Sequence, residues 1–162
     1  MIRSLLYATD LGLYAPYVLQ HALAMARQFK ADLYVVHAVE PMSLFAESVL
    51  RGYLDASTLE EVRREGVATV MATIERKMLD NLRDEVAESE DLALIRAVRV
   101  RQGDPAQVIL DQIQRLEVDL LVIGSHSQVA DSEVALGRTA ARLLQLSAVP
   151  VYMVPLAQHR GR

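Results

Sequence analysis

The feature that most constrains this chain is the recurrence of short, nearly continuous apolar runs, each followed by a longer stretch with helical period. Ile2 to Ala8, Leu33 to Val39, Leu120 to Ile123 and a final Val149-Pro150-Val151-Tyr152-Met153-Val154 are runs of strand length, too apolar for a sheet with one wet face. Between them, Val18, Ala22, Met25 and Phe29 recur at helical spacing behind Pro16, and Ala106, Ile109, Ile113 and Leu116 do so behind Pro105. Strands alternating with helices of this length predict right-handed βαβ units. The fold class is therefore α/β, a doubly wound parallel sheet covered by helices on both faces.

The punctuation supports the same parse. Thr9-Asp10-Leu11-Gly12 ends the first run, Pro41 the second, and residues 41–57 keep no single period. From Thr58 a long helix is predicted, since Ser57 and Thr58 each have a glutamate three residues on, Glu60 and Glu61. Its inner face would use Leu59, Val62, Val70, Ile74, Met78 and Leu82, with Gly66 as a weak point. The acidic stretch 85–91 reads as closing that helix in solvent, and LALIRAVRV as a third strand whose Arg96, Arg99 and Arg101 suit a sheet edge. Gly103 supplies a turn, Asp104 a helix cap and Pro105 the first helical position. Prolines 150 and 155 bracket the fifth strand and confine it to an edge.

Composition sets the limits on function. With 162 residues, 52% of them hydrophobic, the chain suits one domain with a substantial core, spanning residues 1–157 ahead of a tail at 158–162. A net charge of -4 argues against an electrostatic grip on nucleic acid or on an acidic membrane surface. Without cysteine there are no disulfides, thiolate metal sites or cysteine nucleophiles. The opening MIRSLLYATDLG lacks the longer apolar core and cleavage site of a signal peptide, and no run reaches transmembrane length, so a cytoplasmic protein is expected.

The segment VIGSHSQVADSEVALGRT, residues 122–139, is the candidate for chemistry. A glycine-ended strand followed by a glycine-opened helix aims backbone N–H groups and a positive helix end at an anion. The Walker string GxxxxGK[ST] and the dinucleotide fingerprint GxGxxG are both absent. Ser125, His126 and Asp131 stand close in sequence but outside a GxSxG nucleophile elbow, which makes a hydrolase the weaker reading. His21 and His37 read as structural histidines on a helix and a strand, whereas His126 sits at a strand's carboxyl end, where ligands of open α/β sheets gather. No His or carboxylate grouping has metal-ligand spacing. On the residues alone, Asp10 reads as a turn carboxylate, and Thr9 and Ala38 as strand-end packing.

LLYATDLG, VVHAVEPM, VRQGDPAQVIL, DLLVIGSHS and VALGRTAARLLQLSAVPVYMVP, in that order, resemble the universal stress protein family along essentially the whole chain. The resemblance implies strand order 3-2-1-4-5, a homodimer formed through the last strand, and a fold that in some members binds ATP. The family's nucleotide signature is a glycine, two residues, a glycine, nine residues, then glycine and a small hydroxyl residue. Here Gly124 and Gly137 hold their places, Ser127 replaces the second glycine, and Arg138 replaces the hydroxyl residue, with Thr139 one place later. Carried over position by position, the cofactor-binding set becomes Ala8, Thr9, Asp10, Ala38, Gly124, His126, Ser127, Gly137, Arg138 and Thr139, with ATP or AMP as the ligand. Serine restricts close backbone approach, and arginine either blocks the loop or clamps a phosphate with its guanidinium fork. Two functions follow from the resemblance: a non-catalytic stress-response or regulatory homodimer acting on protein clients, or an ATP- or AMP-binding protein with slow nucleotide hydrolysis.

Overall fold

The apolar runs are continuous because the strands they form are covered from both sides. The structure, a computed structural model, describes residues 1–40, 52–53, 55–86, 89–125 and 136–156. In chain order it has β1 (Ser4–Thr9), α1 (Ala15–Phe29), β2 (Asp32–Val39), α2 (Ala56–Glu85), α3 (Ser89–Leu94), β3 (Ile95–Gln102), α4 (Pro105–Leu116), β4 (Leu120–Gly124), α5 (Arg138–Leu146) and β5 (Val151–Val154). The five strands form one sheet in the order β3-β2-β1-β4-β5, every pairing parallel. Strand-to-strand alternation then sorts the core. Leu5, Tyr7, Leu33, Val35, Val98, Val122 and Val154 pack beneath α1, α2 and α3, while Leu6, Val36, Leu121 and Ile123 pack beneath α4 and α5.

Local chemistry explains the boundaries. Asp104 caps α4 by accepting the Gln107 N–H at 3.1 Å, with Pro105 in the first turn, as the sequence predicts. Gly103 turns the chain with φ at 151°, and a side chain there would meet Val108 at 2.9 Å. The long helix starts two residues earlier than expected. Asp55, not Ser57 or Thr58, is its cap and accepts the Thr58 N–H at 2.7 Å, because a carboxylate there satisfies the first-turn donors. On its predicted inner face Met78 and Leu82 are buried and Ile74 packs against them, while the side chains of Leu59, Val62 and Val70 lie outside the described residues.

Two expectations on the third strand divide. β3 is an edge strand, as its arginines suggest. The acidic stretch does not end in solvent, however, and Leu92 and Leu94 are helical, so the strand starts only at Ile95. Both leucines pack on the core and draw Asp91 in with them to 7% exposure, where it forms an ion pair with Arg27 of α1. β5 is the opposite edge, in keeping with its prolines. The tail at 158–162 lies outside the described residues. No helix among the described residues is long and apolar enough to cross a membrane.

Candidate functional site

The topology places the site before any side chain does. β1 and β4 are neighbours, yet β1 feeds α1 on one face of the sheet and β4 leads towards α5 on the other, which opens a crevice at their carboxyl ends. Thr9, Asp10, Ala8, Ala38, Gly124, Gly137, Arg138 and Thr139 all lie at that end of the sheet or on the segments leaving it. His126 and Ser127, on the remaining part of the loop, lie outside the described residues.

The β1 exit is a tight double turn. The Thr9 hydroxyl accepts the Leu11 N–H at 3.1 Å and the Asp10 carboxylate accepts the Gly12 N–H at 2.8 Å. Between them Leu11 is held in the left-handed region at φ 59°, a cost of about 1–2 kcal/mol in a non-glycine residue. The reversal lets α1 start at once, with the Ala15 N–H on the Gly12 carbonyl at 3.1 Å. Opposite Thr9 on β2, His37 points Nδ1 at the Thr9 carbonyl at 2.9 Å; a carbonyl only accepts, so Nδ1 carries the proton. His37 is thus the structural histidine that its strand position implied.

Ala8 and Ala38 fall on the other face of the sheet from Thr9, packed against the α4 and α5 cluster. The α5 start lies on that side too. Gly137 is its cap residue, in extended conformation at φ -69°, and has no side chain with which to cap the helix. Its own N–H is spent on the Ser125 carbonyl at 2.7 Å, while Arg138 is exposed and Thr139 half-buried in the first turn. First-turn N–H groups and the helix dipole make this end favourable for an anion.

Gly124 answers to packing. A Cβ there would meet Leu156 at 2.9 Å and Val18 at 3.3 Å. Ser125 is the residue whose part the sequence conceals. It is buried, donates its N–H to the Val154 carbonyl at 2.9 Å, and accepts the Leu156 N–H on Oγ at 2.9 Å. It therefore ties the ends of β4 and β5 to the start of α5, an architectural role. Only the burial and the long-range partners reveal it.

Beside α5 stands a charged group that links two helix starts. Arg142, one turn after Arg138, donates from Nη1 to Asp104 Oδ2 at 2.9 Å. The Asp104 carboxyl is held below the ordinary carboxylate range, first by the Gln107 N–H and then by Arg142 and the charge of Arg138.

On the α1 and α2 face, a cavity of about 300 Å³ opens beneath the β1 exit, lined by Tyr7, Thr9, Leu13, Met78 and Asn81 among others. Tyr7 donates its hydroxyl to the Ala15 carbonyl at 3.0 Å, and burial raises its phenol well above its usual value. Of the predicted set among the described residues, only Thr9 reaches this cavity. Among the described residues no group of three or more His, Cys, Asp or Glu side chains is arranged to hold a metal.

Comparison with known proteins places this architecture. Residues 1–155 match the universal stress protein family. The chain is 27% identical over 157 residues to universal stress protein YxiE of Bacillus subtilis, covering 95% of this chain and 99% of that protein. It is 29% identical over 126 residues to a universal stress protein A homolog of Haemophilus influenzae, 78% of this chain and 79% of the relative. Among solved structures, hypothetical protein MJ0577 superposes with a TM-score of 0.69 at 22% identity over 96% of each chain. A universal stress protein in complex with cAMP superposes with a TM-score of 0.58 at 18% identity, covering 95% of this chain and 97% of the other. The whole-chain match, joined to the 3-2-1-4-5 sheet, makes this chain a member of the universal stress protein family.

Proposed function

We propose that this protein is a non-catalytic stress-response regulator that works as a homodimer and takes an adenine nucleotide in the crevice between β1 and β4. The observation that carries the reading is the convergence, on one face of the carboxyl edge, of Ala8, Ala38 and the start of α5, where Gly137 brings no capping side chain and Arg138 adds a positive charge. The small alanines favour room for a base, and the helix end with Arg138 favours its phosphates. The cAMP-bound relative shows that this fold accommodates an adenine nucleotide in at least one protein. Asp10 supports the non-catalytic half: its carboxylate is engaged by the Gly12 N–H, which is turn chemistry.

Calorimetric titration with ATP and AMP tests the nucleotide reading. ATP is expected to bind, and Arg138→Ser to weaken ATP by about tenfold, one lost charge-assisted contact of about 1.4 kcal/mol, with a smaller loss for AMP. Ser127→Gly in the native background is expected to tighten ATP by relieving the restriction on backbone approach. Absence of binding in all three proteins overturns the nucleotide site. Steady ATP turnover that survives purification and vanishes in Asp10→Asn replaces the non-catalytic reading with slow nucleotide hydrolysis.

A further inference from the structure

Resting on the nucleotide reading above, we infer that Asp104 is a built-in competitor for the phosphates. Its carboxylate holds Arg142, one turn along α5 from Arg138, so polyphosphate binds by displacing it from that arginine.

The geometry makes one carboxylate serve two helices. Asp104 Oδ2 accepts the Gln107 N–H at 3.1 Å as the cap of α4 and the Arg142 guanidinium at 2.9 Å from α5. Arg138 and Arg142 are four residues apart on a helix and therefore share a face, with Arg138 in the first turn. The face they share leads from the helix start at Gly137 to the carboxylate. The Arg142 and Asp104 side chains remain 44% and 53% exposed, which leaves the pair open to solvent and to exchange with another anion. A carboxylate offers two oxygens and one negative charge. A di- or triphosphate chain offers more of both, and so competes better for the guanidinium groups than a single phosphate does. The arrangement thus discriminates by phosphate number: a monophosphate at the α5 start leaves the Asp104–Arg142 pair intact, whereas a longer chain displaces it.

The test compares native protein, Asp104→Asn, Arg142→Gln and the double variant, each titrated with ATP, AMP and inorganic tripolyphosphate, with thermal melting as the check on folding. Asparagine keeps the cap acceptor for Gln107 but removes the charge. Asp104→Asn is expected to tighten ATP and tripolyphosphate three- to tenfold and leave AMP within twofold. Arg142→Gln is expected to weaken ATP, and the double variant to match Arg142→Gln alone, because Asp104 acts through that arginine. ATP binding that is equal in native and Asp104→Asn proteins, or a gain equal for AMP, overturns the competitor while leaving the nucleotide site standing. Binding by Asp104→Asn where the native protein shows none supports it. Absence of binding by every protein overturns both.

Discussion

Gly124 illustrates how a glycine can be required by packing. Its position in the family signature suggests close approach to a phosphate, yet here the space beside its Cα is taken by Leu156 and Val18. Gly124→Ala gains about 0.5–1 kcal/mol from the strand backbone and loses about 1–3 kcal/mol to overpacking, a net destabilisation of about 1 kcal/mol. Denaturant unfolding is expected to show that loss with nucleotide affinity unchanged; a variant as stable as the native chain refutes the packing role. Asp10 teaches the complementary point. The plain reading as a turn carboxylate, available from Thr9-Asp10-Leu11-Gly12 alone, describes the bond it makes. Ser125 was legible only as a polar residue after a strand, because Gly137, Val154 and Leu156, which it bonds, are distant in sequence.

Among the elements, α1 and α4 end alike. Lys30 and Glu117 both close their helices in the left-handed region, at φ 53° and 51°, where glycine is favoured. Glu117→Gly is expected to raise stability by about 1 kcal/mol, the left-handed strain it removes less the backbone entropy it adds. A lower melting temperature for that variant would show the strain to be absent. Element ends also set the acid limit. Asp55, Asp104 and Asp119 each hold their carboxyl below the ordinary 3.8; Asp119 does so through the Arg3 N–H and then the Ser4 N–H, at 2.8 and 3.2 Å, which pins the start of β1. A carboxyl depressed by folding contributes in full above its unfolded value and loses that contribution as pH falls through the folded one. The melting temperature is thus expected to fall below about pH 4, with a shallower fall in Asp119→Asn. Equal acid slopes for the two proteins would remove Asp119 from the account.

At the scale of the molecule, the two sheet edges differ in kind. β3 presents Arg96, Arg99 and Arg101, whereas β5 is a short uncharged strand. The Leu121 N–H donates to the Pro150 carbonyl and the Ser125 N–H to the Val154 carbonyl. By alternation, the backbone groups of Val151 and Met153 therefore face away from the sheet, on the side where a second copy would pair. A dimer through β5 is expected by light scattering. Met153→Pro, which removes an outward N–H, and Val151→Lys, which puts like charges together across a two-fold axis, are expected to give monomers. Since Val151 and Met153 also pack against the α5 side of the core, each variant is checked for native circular dichroism. A native chain that runs as a monomer, or folded variants that remain dimers, overturns the interface.

The sequence by itself determined the alternation of strands and helices, the parallel sheet with edges at β3 and β5, the cap and proline that open α4, and the family. Each of these is written in short-range signals: the period of apolar residues, a capping residue, a proline, a glycine. Strand order came through resemblance, since a βαβ period fixes handedness but not which strands are neighbours. Tertiary structure alone decided that Asp91 is drawn inside by the leucines after it and that Asp104 serves both α4 and Arg142. Those outcomes depend on which distant groups burial brings within hydrogen-bond reach. A carboxylate's partner is chosen by the packing of the elements around it, and local sequence carries no record of that choice.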